Sequence, residues 1–144
     1  MSPKGPQAPK EDKRENDIAL QVVDAAYRIH MALGPGLLES AYESVLAFEL
    51  KERGLGFARQ VLVPIVYHDV VIEHGFRADF IVEDKVIVEV KSIESVAAVH
   101  RKQLLTYLKL SNRRLGLLIN FNEMLIRDGI TRLVNGLDPA FRKH

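Results

Sequence analysis

Asp79 lies inside one apolar run, and ten residues later Glu89-Val90-Lys91 closes a second. Two carboxylates and an ammonium gathered at one end of a sheet make a ligand set for a hard divalent cation, with a lysine beside it. A cation held this way activates water and draws negative charge from the group it coordinates. A solvated strand face would carry the same charges without chemistry, so the elements that position them decide between the two.

Phe76 to Val82 and Val86 to Val90 are dense in β-branched and aromatic residues, separated only by Glu83-Asp84-Lys85, which predicts a β-hairpin. Side chains alternate faces along a strand. Val86, Val88 and Val90 therefore point one way, and Ile87, Glu89 and Lys91 the other. On the first strand Phe76, Ala78, Phe80 and Val82 are expected to share one face, with Arg77 and Asp79 opposite.

Upstream, Ile18, Val22, Ala25, Ala26 and Ile29 recur at helical spacing behind a cap at Asn16 or Asp17, and Gly34-Pro35-Gly36 stops that helix. His30 near its end suits the helix dipole better than a metal. A second helix is expected over Leu37–Arg53, closed by Gly54. Leu38, Ala41, Val45 and Phe48 form one apolar stripe, and Glu39, Tyr42, Leu46 and Leu50 form the next, which sets a carboxylate on an apolar face. That glutamate is satisfied either by the helix N-terminus or by a partner. Pro64 within Val61–Tyr67 demands an edge strand or a bulge, and His68 and His74 fall in or beside exposed turns.

Downstream, a helix is expected over Val96–Leu110 with Ala97, Leu104, Leu105 and Leu108 buried, and with Gln103 and Tyr107 stacked one turn apart. Leu115–Phe121 then reads as a buried strand parallel to its predecessor, the product of a β-α-β crossover. Asp128-Gly129 between Met124–Ile126 and Ile130–Val134 signals a closing hairpin.

The 144 residues suit one domain, over 17–137, between a disordered leader at 1–16 and a short tail at 138–144. With no cysteine, a disulfide framework and a thiolate zinc site are excluded, and a reducing, cytoplasmic setting fits. No apolar run approaches a membrane span. A net charge of +1 argues against bulk electrostatic binding of nucleic acid, so any such contact must come from a local patch such as Arg101-Lys102, Arg113-Arg114 or Arg142-Lys143-His144.

Asp79 with Glu89-Val90-Lys91 resembles the D…(D/E)xK signature of the PD-(D/E)XK nuclease superfamily. Gly36-Leu37-Leu38-Glu39-Ser40-Ala41-Tyr42 resembles the string that names its GxxExxY branch, and Gln103-x-x-x-Tyr107 resembles the QxxxY element of its RecB-like members. The resemblance implies an α/β, restriction-endonuclease-like mixed sheet flanked by helices. It also implies a Mg²⁺- or Mn²⁺-dependent nuclease that hydrolyses phosphodiester bonds, of DNA ahead of RNA. In that scheme Asp79, Glu89 and the Val90 carbonyl hold the metal, Glu39 joins through water, and Lys91 positions the nucleophile. Gln103, Tyr107, Tyr42, His100, Lys102 and Arg77 would meet the substrate, and cutting both strands of a duplex would favour a two-fold homodimer. The alternative is a nuclease-fold protein that binds nucleic acid or a protein partner without cleaving.

Overall fold

The computed structural model describes residues 14–136. Most of the expected leader and the whole of the expected tail lie outside the described residues. Helix α1 spans Glu15–Leu33 and buries Ile18, Val22, Ala25, Ala26 and Ile29, the stripe its spacing predicts, and Ala19 beside it. Arg14, not Asn16 or Asp17, is the capping residue. Asn16 instead lies in the first turn and accepts a hydrogen bond from Arg132. Gly34 ends the helix with a left-handed backbone (φ 69°) that a side chain would resist.

Helix α2 runs Glu39–Glu52. Of its two stripes the one containing Tyr42, Leu46 and Leu50 is buried, whereas Leu38 and Phe48 of the other are 76% and 60% exposed. The tyrosine explains the choice. Its ring stacks on Phe121 at 4.6 Å, and its hydroxyl donates to the Gly34 carbonyl (2.5 Å) and accepts from Leu37 N–H (3.2 Å), which locks the turn between the helices. A helix rotated onto Leu38 and Phe48 would lose all three.

Five strands follow the chain in order across one sheet: β1 Phe57–Tyr67, β2 Val70–Val82, β3 Val86–Lys91, β4 Leu115–Asn120 and β5 Ile130–Val134. Only β3 and β4 are parallel, joined by helix α3 (Ala98–Leu110) as the crossover. Pro64 sits on the edge strand at a register shift between Val63 and Ile65, where its missing N–H costs no ladder bond. Glu83 and Asp84, both at positive φ, form the tight β2–β3 turn, closed by Lys85 N–H to the Val82 carbonyl (3.0 Å). Helix α3 starts two residues later than expected and leaves Ala97 exposed as its capping residue.

Asp128-Gly129 does not turn a hairpin. It closes a short 3-10 helix, Ile126–Gly129, that delivers β5 antiparallel onto β4. Gly129 is there for space, since a Cβ would come within 2.2 Å of the Asn120 carbonyl oxygen.

Helices α1 and α2 pack on one face over Phe80, Val82, Val86, Val88, Val90, Leu115, Leu117 and Ile119. Helix α3 packs its Leu104 and Leu108 on the other, over Val63, Phe76, Ala78, Ile81, Ile87 and Leu118. This is the α/β, restriction-endonuclease-like mixed sheet with flanking helices. One expectation fails within it: Phe76 and Ala78 belong to the α3 side, while Phe80 and Val82 belong to the α1–α2 side. The alternation of β2 breaks between Ala78 and Phe80, at Asp79. Strand β1 breaks alongside, since Phe57 packs with α1 and α2 but Val61 packs with α3. Gln60, at φ 51°, lies between them.

Candidate active site

The β2–β3 ladder pairs Val82 with Val86, Ile81 with Ile87 and Phe80 with Val88, and then stops. The next pair in that register is Asp79 with Glu89. Their side chains replace the missing main-chain bonds: Asp79 N–H donates to Glu89 Oε2 (3.1 Å), and Val90 N–H donates to Asp79 Oδ2 (2.8 Å). Splitting the strands frees buried N–H groups that need acceptors, and the two carboxylates supply them. Strand β3 meanwhile stays paired to β4 as far as Lys91 with Asn120.

Only 8% of Glu89 is exposed. Burial pushes its carboxyl up to about 8, and the Asp79 charge adds to the shift; the Asp79 N–H and Lys91 oppose it. Burial also raises Asp79, against the Val90 N–H that holds its charged form, and a like charge on Glu43 raises it further. Lys91, half-buried, favours the ionised form of both carboxylates. Two desolvated carboxylates under the influence of one ammonium are short of positive charge, and a bound cation would supply it.

Among the described residues no three Asp, Glu, His or Cys side chains cluster as a metal cage. The pair nevertheless fits a magnesium-type ion, which commonly takes one or two carboxylates and completes its shell with waters and substrate phosphate. Val90 is fixed beside them by its N–H on Asp79. Glu39 lies exposed in the first turn of α2, and its charge reaches Glu89 only as the weakest of the influences on that group.

Tyr107 on α3 stacks flat on Phe76 of β2 at 4.0 Å. Burial raises its hydroxyl, and the Glu89 and Asp79 charges raise it further, so α3 brings this tyrosine within electrostatic reach of the pair. Gln103, one turn earlier, is exposed, as are Lys102 and Arg77. His100 Nδ1 accepts the Ala97 N–H at 2.9 Å, so it serves the start of α3. Tyr42, expected to contact substrate, is fully buried and its hydroxyl is committed to the inter-helix turn. It supports the site from behind by holding the loop that leads to Glu39. His30 likewise ties α1 to the loop after β4 through Nε2 and the Glu123 carbonyl (2.7 Å).

Three residues of the site are not singled out by the sequence. Glu43 and Gln60 approach Asp79 from α2 and β1. Asn120, with no exposed surface, accepts from Ile93 N–H (3.0 Å) and Asn122 N–H (3.2 Å) and donates to the Ile93 carbonyl (2.9 Å). Phe121 N–H adds a bond to the Lys91 carbonyl (2.9 Å), so the backbone is held on both sides of Ser92. Ser92 itself donates to the Leu37 carbonyl (2.6 Å), joining this loop to the start of α2. An asparagine ending an apolar strand is a weak signal for a buried staple; Glu43 and Gln60 give none.

The model of the PD-(D/E)XK nuclease superfamily matches residues 16–133, which takes in all but the first residue of α1, all but the last residue of β5 and every side chain of the site. Neither the curated proteins nor the solved structures contain a match to the chain.

Proposed function

We propose, because this chain belongs to the PD-(D/E)XK nuclease superfamily, that it is a Mg²⁺- or Mn²⁺-dependent nuclease acting on DNA, of the GxxExxY branch. The observation that carries the reading is the opened β2–β3 ladder, in which Asp79 and Glu89 each accept a main-chain N–H and the Lys91 charge favours the ionised form of both. A structural ion pair would not require it, because a buried charged group forfeits several kcal/mol of solvation, a cost that an apolar pair does not carry.

Asp79 and Glu89 would hold the cation with the Val90 carbonyl, and Glu39 would join through water. When bound, the cation acts as a Lewis acid on the phosphate and lowers the pKa of water. Lys91, beside both carboxylates, orients the attacking water and offsets the negative charge that develops on the phosphoryl oxygens. Tyr107, Gln103, His100, Lys102 and Arg77 would meet the sugar-phosphate backbone, with α3 forming one wall. One chain offers one such site, so cleavage of both strands of a duplex calls for two copies.

Labelled single-stranded and duplex DNA and RNA, incubated with the protein and Mg²⁺ or Mn²⁺, test the reading. Cleavage that stops with chelator, and falls by about 10²–10³-fold in Lys91→Ala while Mn²⁺ binding persists, is expected. Intact nucleic-acid binding with no cleavage of any substrate by the wild type would leave a binding protein in its place.

A further inference from the structure

Among the described residues five non-glycine positions have a left-handed backbone: Gln60, His68, Glu83, Asp84 and Asn112. Four of them lie in turns, where chain reversal calls for it; Gln60 lies inside strand β1. Glycine or asparagine would suit its φ of 51° better than glutamine. A disfavoured backbone kept at a carboxylate site is a reason to ask what its side chain does.

The Gln60 amide donates to both Glu43 oxygens (3.0 and 3.1 Å) and to Asp79 Oδ1 (3.3 Å). Its neighbour Arg59 donates to Glu43 Oε2 as well (3.1 and 3.3 Å). Asp79 is therefore held at both oxygens, Oδ2 by the main chain of β3 and Oδ1 by a side chain of β1. Glu43 follows Glu39 by four residues, so the two share one side of α2. The same amide thus joins the helix that carries Glu39 to the strand that carries Asp79.

We propose that Gln60 is a positioning residue of this site: its amide ties Asp79 to Glu43, fixing the orientation in which Asp79 receives the cation and the placement of α2 beside it. The inference rests on the metal-dependent reading above. Its left-handed backbone is what turns β1 so that the amide reaches both carboxylates.

Calorimetric titration of Mn²⁺ into wild type, Gln60→Gly and Gln60→Asn tests it, together with ¹⁵N–¹H spectra of the side-chain amides. Glycine keeps the left-handed backbone comfortable and removes the amide; asparagine keeps an amide too short to span both carboxylates. Positioning predicts Mn²⁺ affinity weakened by about tenfold or more in both variants, the usual consequence of losing a partner that orients a ligand, with the melting temperature of Gln60→Gly unchanged or raised. A Gln60→Gly protein that binds Mn²⁺ as tightly as wild type overturns it. If wild type binds no Mn²⁺, the metal-dependent reading fails by itself and the spectra decide the tie. Gln60 amide resonances that move in Asp79→Asn and Glu43→Gln support it, and resonances indifferent to both overturn it.

Discussion

From its turn to the Phe80–Val88 pair, the β2–β3 hairpin is bonded strand to strand and buried among aliphatic and aromatic side chains. One pair further it opens around Asp79 and Glu89, and side chains take over the bonds that main chain made before. The closed part gains stability from apolar area removed from water, roughly 25 cal/mol per Å². The open part gives stability back, since it holds carboxylates where ionisation is opposed by burial. A hairpin designed only to fold would stay closed to its end. The difference separates what the fold needs from what the site needs, one residue apart on each strand.

The largest effect should come from breaking the closed part. Phe80 has no exposed surface, packs its ring 5.8 Å from Phe57 and lies under the Arg59 guanidinium. Phe80→Ala should cost about 3–5 kcal/mol of stability, from lost burial and the cavity left behind. Urea unfolding measures it. A loss under about 1 kcal/mol, the level typical of an exposed substitution, would mean that this part of the hairpin is not the core it is taken for.

The closed part was also the legible part. Its dense β-branched residues, the acidic turn, Pro64 on the edge and the β-α-β crossover all follow from local sequence rules that the tertiary structure obeys. So does the α1 stripe, to which the structure adds only Ala19. The acid and lysine positions stood out because charge interrupts apolar runs. The opening itself was hidden, because period-two alternation assumes an unbroken strand, and nothing in Gln60 or Asp79 announces that both strands change face there. In α2 the stripe that begins with Glu39 is buried from Tyr42 onward in preference to the wholly apolar one, and the tyrosine's hydrogen bond to Gly34, outside either stripe, chose between them. Asp128-Gly129 misled for a related reason: its glycine answers a steric contact with Asn120, which a turn rule cannot see.

A smaller effect of opposite sign is expected in the open part. In metal-free protein the Glu89 carboxyl is held up at about 8, against an ordinary value of 4.5. Between those values the folded chain keeps a proton that the unfolded chain releases, so stability falls as pH rises from 4.5 to 8 and levels off above. Glu89→Gln can still accept the Asp79 N–H and carries no charge. It should match wild type at pH 4 and exceed it by about 2–4 kcal/mol at pH 9, both with chelator present. Saturating Mn²⁺ should narrow the gap at pH 9, because only wild type keeps the full ligand pair. Parallel pH profiles for the two proteins would show that Glu89 is solvated and that the hairpin pays nothing for opening.

The smallest effect tests whether the open part is held rigid from outside the hairpin. Asn120 faces Lys91 across β3 and β4, and its amide satisfies both polar main-chain groups of Ile93. Asn120→Leu has similar bulk but leaves those groups and the Asn122 N–H without that partner, a loss of about 1–3 kcal/mol. Amide exchange locates the damage better than a melting temperature does. If the staple is local, Ile93 and Asn122 should lose protection well beyond the global destabilisation, while Ile81 and Ile87 in the closed part should lose only the global amount. Uniform loss across all four would instead make Asn120 part of the common core, and the loop after Lys91 would then owe its placement to Phe121 N–H and Ser92 alone.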